Sequence, residues 1–436
     1  MGSFKPSQES KEEFIKRLTR KYEQTLRQSL TQGPQTLEEI EREVGKIGKQ
    51  VQKDLLEERL DQSGTGYTTD RIPCSCGRRA AYTADYGRQL LTLQGPMTLK
   101  RAYYYCRGCK TGGCPLDAVL GLDKGETSLG VRGLIGRLSA YMPDRKAAAE
   151  AELLTGVTLA SSTVLRLSRT IGEQLARDWK ADEQRLKADR LPGPGRCIPC
   201  LHTSMDGVFV FVDKKWCEAK IGVVYERGEG GVERIAYYAT LAKSTDFGRR
   251  WRTLTYVNGS GQCRRLVVVA DGADWIWQET GKYAPMSVQI LDFYHGVEHL
   301  WVVARMRFGE GSAAAAEWIS LQKERLLDDK VNDVIADIDL WVPGTVAGDE
   351  VRQGQLNYLR THQHRMLYKT FREAGYHIGS GVVEASCKAT VQGRMKGPGM
   401  RWREAGAEAM LHLRAAWCTS QQTDFVAIAR RASMAA

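Results

Sequence analysis

Between residues 201 and 304 the apolar pattern runs through three strands, then strand, helix, strand, helix, and that order restricts the fold more than any other part of the chain. Three β-prone runs come first, at 207–212, 220–225 and 235–241, with short polar or turn-like segments between them. That is the layout of an antiparallel meander. In "RRLVVVADGADWIW" a fully apolar strand then ends at Asp271-Gly272 and passes into a helix-like segment. "SVQILDFYHGVEHLWVVARM" repeats the scheme, its strand ending at Asp292. Elements in this order predict an α/β core built on a mixed sheet.

Meander, strand, helix, strand, helix is the order of an RNase H-like fold. The expected class is a multi-domain chain, α+β overall, with an RNase H-like α/β catalytic core. In such a sheet Asp206 falls on the first strand and Asp271 at the end of the fourth, its neighbour. A third carboxylate can join them from a later helix. Glu384 is placed for this by the Gly379-Ser380-Gly381 turn of "HIGSGVVEASCK", which delivers it into a helix start. Asp206, Asp271 and Glu384 offer the hard oxygen ligands that two Mg²⁺ ions require, with Mn²⁺ able to substitute. Such ions sit about 3.5–4 Å apart, one activating the attacking oxygen and the other stabilising the leaving oxygen of a phosphodiester. The rival carboxylates are Asp213 in the turn "VDKKW", Asp274 one helical turn past Asp271, and Asp292, which competes for the second position. An Asp beside Gly is commonly a turn or cap residue.

Upstream, the N-terminal segment 1–70 contains Thr36 and Glu39 at capping-box spacing, followed by Leu37, Ile40, Val44, Ile47, Val51 and Leu55 on one helical face. This face is either a short coiled-coil dimer element or packed on its own domain, and the repeat is too brief to decide. After the joint "DQSGTGYTTD", residues 71–125 carry Cys74 and Cys76, two strand-like runs, and Cys106 and Cys109 at CxxC spacing. A segment so small and turn-rich needs a staple. Four thiolates around a tetrahedral structural Zn²⁺ supply one, so a zinc ribbon is expected, with Cys114 as a spare ligand; the first pair is CxC, tighter than the usual CxxC, and unligated cysteines in an ordinary hairpin are the other reading. Residues 126–190 turn helical. A helix, a tight turn at Gly156 and a second helix from about Ser161 have the layout of a helix-turn-helix, which would present Ser161, Ser162, Arg166 and Arg169 to a major groove. A plain helical hairpin fits the same pattern. "RLPGPGRCIPC" is the clearest linker, and the lone CxxC of Cys197 and Cys200 with His202 is a weak metal signal.

The blocks MDG at 205–207, ADGADWIW at 270–277, DFYHGVEHL at 292–300, GSGVVEASCK at 379–388 and RMKGPGMRW at 394–402 together resemble the DDE insertion-sequence transposases of the ISKra type. The likeness covers most of the chain, including YYCRGC and PLDAVLGL. It implies a DNA transposase with an RNase H-like core, in which Asp206, Asp271 and Glu384 match the catalytic triad. Asp292 and His295 are similar to the (C/D)xxH signature of Mutator-like transposases, whose histidine orients the site or the scissile phosphate; a packed histidine at a helix start is the other reading of His295.

Asp206 and Asp271 lie 65 positions apart (271 − 206), which accommodates strands and helix-free turns, whereas Asp271 and Glu384 lie 113 apart (384 − 271), far more than a compact core needs. The excess, 305–372, reads helical, and similar transposases carry an all-helical insertion there, dividing the core into 201–304 and 373–436. His362 and His364 within it form no metal pattern. Arg394, Lys396, Arg401 and Arg403 crowd a stretch kept loop-like by Gly393, Gly397, Pro398 and Gly399; phosphate contacts explain this most economically, and a solvated basic loop is the other reading. Trp402, Trp275 and Trp277 can stack on an extruded base, with core packing the simpler role for the last two.

Lys and Arg number 63 against 52 Asp and Glu, a net charge of +11 that favours a polyanionic partner. No apolar run approaches the roughly 18 residues of a membrane span, and the first residues have no apolar signal core. The expected location is cytoplasmic and nucleoid-associated, where eleven cysteines serve as thiols or metal ligands. The expected partner is double-stranded DNA, both the terminal inverted repeats of an element and its target, bound by a homodimer or larger assembly. An RNase H-fold nuclease without strand transfer and a non-catalytic DNA-binding regulator are the alternatives.

Overall fold

The computed structural model describes residues 11–31, 36–123, 125–229, 231–419 and 423–434. It is a mixed α+β structure with two sheets. Two compact units account for it: residues up to Leu167 with those from Asp424 onward, and Ser168–Thr423.

In the first unit the Thr36–Glu39 capping box forms, with the Thr36 backbone N–H donating to Glu39 Oε2 (2.9 Å) and the Glu39 N–H to Thr36 Oγ1 (3.3 Å). It starts the helix Leu37–Asp61. The helix Lys11–Thr31 is joined to it by Arg17–Glu58 (2.7 Å) and Lys21–Asp54 (2.5 Å). The apolar stripe is covered unevenly: Ile47 and Val51 are half-buried, while Leu37, Ile40, Val44 and Leu55 are exposed. Strands β1 (Arg71–Pro73), β2 (Arg79–Thr92), β3 (Gly95–Cys106) and β4 (Thr111–Gly113) then form an antiparallel sheet in sequence order. Ala102, Tyr104 and Cys106 alternate inward along β3 and meet Ala80 in a small core. The helices Leu129–Tyr141 and Asp144–Thr155 and the first turns of Ser161–Lys187 close around Val131, Ile135, Ala147, Ala151, Val164 and Leu167. Gly156 ends the second of these helices at φ +75°, a left-handed cap that glycine adopts without a Cβ clash. The helix Phe425–Met434 packs on Leu129–Tyr141, so the last described residues belong with this unit and not with the chain just before them.

The division between units falls inside Ser161–Lys187, upstream of the Pro- and Gly-rich stretch at which a boundary was expected. Leu167 is buried in the first core, whereas Trp179 packs against the core of the second.

The second unit is built on β5 (Ile198–Val212), β6 (Lys215–Gly228), β7 (Gly231–Thr240), β8 (Cys263–Ala270) and β9 (Val288–Leu291), in the order β7-β6-β5-β8-β9. β7, β6 and β5 pair antiparallel; β5, β8 and β9 pair parallel. The chain between β7 and β8 is not helix-free, as the 65-residue spacing suggested: the helix Ser244–Val257 occupies it. Phe247, Trp251 and Leu254, at three- and four-residue steps, are its buried face, and Trp251 Nε1 donates to Thr203 Oγ1 on β5 (2.8 Å). β5 also begins earlier than expected, taking in Cys200 and His202. Helices Asp274–Tyr283 and Phe293–Phe308 follow β8 and β9, and residues 313–373 contain helices alone. Val267–Ala270, Ile290 and Leu291 are fully buried between these elements.

Candidate active site

β5 and β8 set the geometry. Their parallel ladder pairs His202 with Val267 and Thr203 with Val268, an offset of 65 positions, and the same offset takes Asp206 to Asp271. The two carboxylates therefore stand at one level of the sheet, Asp206 on β5 and Asp271 one residue beyond β8. Neighbouring residues at one level of a parallel pair project to the same side. Both are half-buried. Asp206 Oδ1 accepts its neighbour's N–H from Gly207 (2.6 Å), and Asp271 Oδ1 accepts from Ala273 N–H (3.0 Å). Trp277 Nε1 donates to the Asp271 carbonyl (2.8 Å) from the following helix, which fixes the turn.

Glu384 reaches the same place from the helix Gly381–Ser386, with its side chain exposed. Three residues on, the thiol of Cys387 donates to Asp206 Oδ2 (3.1 Å), which puts one face of this helix against β5. Burial pushes the Asp206 carboxyl up from its ordinary pKa, and the nearby charges of Asp271 and Glu384 push the same way, opposed by the bonds from Cys387 and Gly207. Burial and the same three carboxylates push the Cys387 thiol up, so it stays protonated. Like charges gathered in a half-buried place are what a divalent cation relieves. The oxygens of the trio do not all lie within 4.8 Å of one another; among the described residues the cysteine quartet alone meets that spacing.

Asp292 is 1% exposed and belongs to the scaffold. Its Oδ1 accepts the His295 N–H (2.9 Å) as the cap of the helix Phe293–Phe308, and its Oδ2 accepts the Ser380 N–H from the turn before Glu384. Phe293 N–H to Ile378 carbonyl (2.8 Å) closes the same junction. Asp292 thus ties the start of the helix Phe293–Phe308 to the turn that precedes Glu384. His295 is half-exposed, its Nδ1 3.3 Å from Glu298 and its ring edge-on to His299. His299 in turn stacks on Tyr358 at 3.6 Å. The Tyr358 ring lies so close to Gly272 that any side chain there would collide with it, and burial with the charges of Asp271 and Asp292 raises its pKa. Neither Tyr358 nor Cys387 is among the candidates that the sequence offers. The i, i+3 spacing from Glu384 was a signal for Cys387, but Tyr358 offered none. Asp213 is a hairpin residue at φ +45°, accepting the Glu404 N–H (3.1 Å), and Asp274 opens its helix on the exposed side.

The basic stretch separates into two kinds of residue. Lys396, Arg401 and Arg403 are exposed. Arg394 is 3% exposed with its guanidinium over the Trp402 ring (5.3 Å), which places it in the packing of the loop and corrects its expected role at a phosphate. Trp402 is also held, by its Nε1 to the Met395 carbonyl (3.1 Å) and by its backbone N–H to the Phe211 carbonyl (3.2 Å). Trp277 is buried, and Trp275 is half-buried with its edge on Phe247. Ser161, Ser162, Arg166 and Arg169 are all exposed on Ser161–Lys187, Arg169 paired with Glu173 (2.7 Å).

In the first unit Cys74 and Cys76, from the β1–β2 connection, converge with Cys106 and Cys109, from the end of β3 and the β3–β4 connection. Sulfur separations are 3.5 Å (Cys74–Cys109), 3.6 Å (Cys74–Cys76) and 3.7 Å (Cys76–Cys106). These are free thiols, spaced like the edges, about 3.8 Å, of a tetrahedron with metal–sulfur bonds of about 2.3 Å. The Thr111 hydroxyl draws Cys109 down to about 6. Cys114 lies outside the quartet, and Cys200 and His202 stand 3.9 Å apart without a third ligand among the described residues.

The sequence model of an uncharacterised protein family, UPF0236, matches residues 29–307, a span that includes the cysteine quartet, Asp206 and Asp271. A UPF0236 protein in the vanSb 3′ region of Streptococcus gallolyticus is 24% identical, over 84% of this chain and 76% of that protein. The chain belongs to the UPF0236 family.

Proposed function

We propose that the chain is a DDE-type transposase with an RNase H-like catalytic core, cutting the ends of its element and joining the freed 3′-OH to target DNA. The observation that carries this is that Asp206 and Asp271 stand at one level of neighbouring strands in a sheet ordered β7-β6-β5-β8-β9, with Glu384 brought near them by a later helix. Asp206, Asp271 and Glu384 would hold two Mg²⁺ ions, which when bound supply charge stabilisation at the attacking and leaving oxygens. Water attacks phosphorus at the element end and the P–O3′ bond breaks, leaving a 3′-OH. That hydroxyl then attacks a target phosphodiester, displacing the target strand's own 3′ oxygen. No covalent enzyme intermediate is needed. His295, half-exposed beside the site, orients the scissile phosphate, and exposed Lys396, Arg401 and Arg403 bind flanking phosphates. The surface of Ser161, Ser162, Arg166 and Arg169 binds the terminal repeat. The quartet holds one structural Zn²⁺ that braces β1–β4. Synapsis of two ends takes at least two protomers.

A strand-specific cleavage assay on DNA carrying the sequences that flank the native gene, with Mg²⁺, tests this. Wild type is expected to cut and to form joined products. Asp271→Asn and Glu384→Gln are expected to lose at least about 100-fold in cutting while binding the ends within a few-fold. Cutting without joining would make the protein a nuclease, and binding without cutting would make it a DNA-binding regulator.

A further inference from the structure

We propose that Cys387 is a positioning residue for the metal site: its thiol holds the Asp206 carboxylate and locks the helix that carries Glu384 to β5. This rests on the reading of Asp206, Asp271 and Glu384 as ligands of divalent cations. Cys387 is 3% exposed, with Sγ 3.1 Å from Asp206 Oδ2, while Gly207 N–H occupies Oδ1 at 2.6 Å. Donors on both oxygens stop the carboxylate from rotating. A carboxylate accepts at about four lone-pair positions, so each oxygen keeps one for a cation. Glu384 and Cys387 share one helical face, being three residues apart. The bond from Cys387 therefore sets how far Glu384 stands from Asp206.

The backbone is shaped around this contact. At Cys387 the α-helix gives way to a π-helical stretch, Cys387–Gln392, a widened geometry that recurs at functional sites. Buried Arg414, from the helix Glu404–Cys418, donates to the carbonyls of Thr390 (3.1 Å) and Ala389, pinning the widened turn. Arg414 fixes the far end of the segment, and Cys387 fixes the near end to Asp206.

Metal-binding carboxylates depend on such supporting bonds, whose loss costs roughly 10–100-fold in affinity. Mn²⁺ binding by the full chain, followed by electron paramagnetic resonance with Asp206→Asn as baseline, tests the role without relying on activity. Cys387→Ala is expected to bind Mn²⁺ about tenfold more weakly than wild type, and Cys387→Ser, which keeps a donor, within about threefold of it. Cys387→Val keeps the bulk without the donor, and serves if the alanine variant melts early. Affinities of the alanine and valine variants equal to wild type would overturn the proposal, as would a serine variant as weak as alanine. Equal signals from wild type and Asp206→Asn would remove the metal site itself, and the proposal with it.

Discussion

Asp206 is the residue on which the chemistry and the stability of the second unit conflict. Its pKa is raised chiefly by burial, and then by Asp271 and Glu384. A raised folded-state pKa contributes stability that is complete below the unfolded value, about 3.9, and is lost as pH rises through the folded value. The further the pH rises above that range, the less of this contribution the metal-free protein keeps. Asp206→Asn should accordingly raise the melting temperature of the metal-free protein by about 2–4 °C, the shift expected for about 1 kcal/mol in a unit of this size. Mg²⁺ or Mn²⁺ should raise the wild-type melting temperature and leave the variant's unchanged. Differential scanning calorimetry of both proteins, with and without metal, reads both effects.

At the scale of elements, two junctions decide whether the sites exist. Buried Asp292 ties the start of Phe293–Phe308 to the turn that presents Glu384, through two backbone N–H groups. Hydrogen bonds to a charged group contribute about 1.5–3 kcal/mol each, so Asp292→Ala should cost about 3 kcal/mol in urea denaturation, and Asp292→Asn less because Oδ1 still caps the helix. The same alanine substitution should weaken cleavage by displacing Glu384 even though Asp292 touches no substrate. The second junction is the quartet, where β1–β4 enclose only a small apolar core. About one zinc per chain is expected by elemental analysis of the wild type and none for Cys106→Ser, which should also lose protection against proteolysis within 71–113.

Across the molecule, pH acts through groups that pull in opposite directions. His202 is held down to about 4 by burial and then by Arg227 and His377, and His362 to about 4 by burial and then by Arg365 and His364. A histidine whose folded pKa lies below its unfolded value stabilises above about 6.5, and that stability is lost as pH falls toward about 4. Asp206 opposes them over the same range, its contribution declining as pH rises above about 3.9, as one carboxyl against two histidines. The second unit should therefore lose stability on acidification from about pH 6.5, and His202→Gln should flatten that limb, with at most about 3 kcal/mol attributable to His202. Urea titrations at a series of pH values compare the two proteins.

Period and spacing carry the local parts of this fold. The capping box at Thr36, the order of strands around Asp206 and Asp271, and the four cysteines are local patterns, because strand alternation, helix caps and ligand spacing are written in neighbouring residues. Asp206 and Asp271 were legible because each ends or interrupts an apolar run. The helix Ser244–Val257 also has a local signal, in the three- and four-residue steps of Phe247, Trp251 and Leu254, although the 65-residue spacing alone does not require a helix there. The folded chain alone shows that Asp292 caps a helix and anchors the Ser380 turn, that Arg394 is buried against Trp402, and that Cys387 bonds to Asp206. Each of those roles depends on a partner far away in the chain, and a charged side chain reads the same in sequence whether it faces solvent or is enclosed by segments folded back from elsewhere.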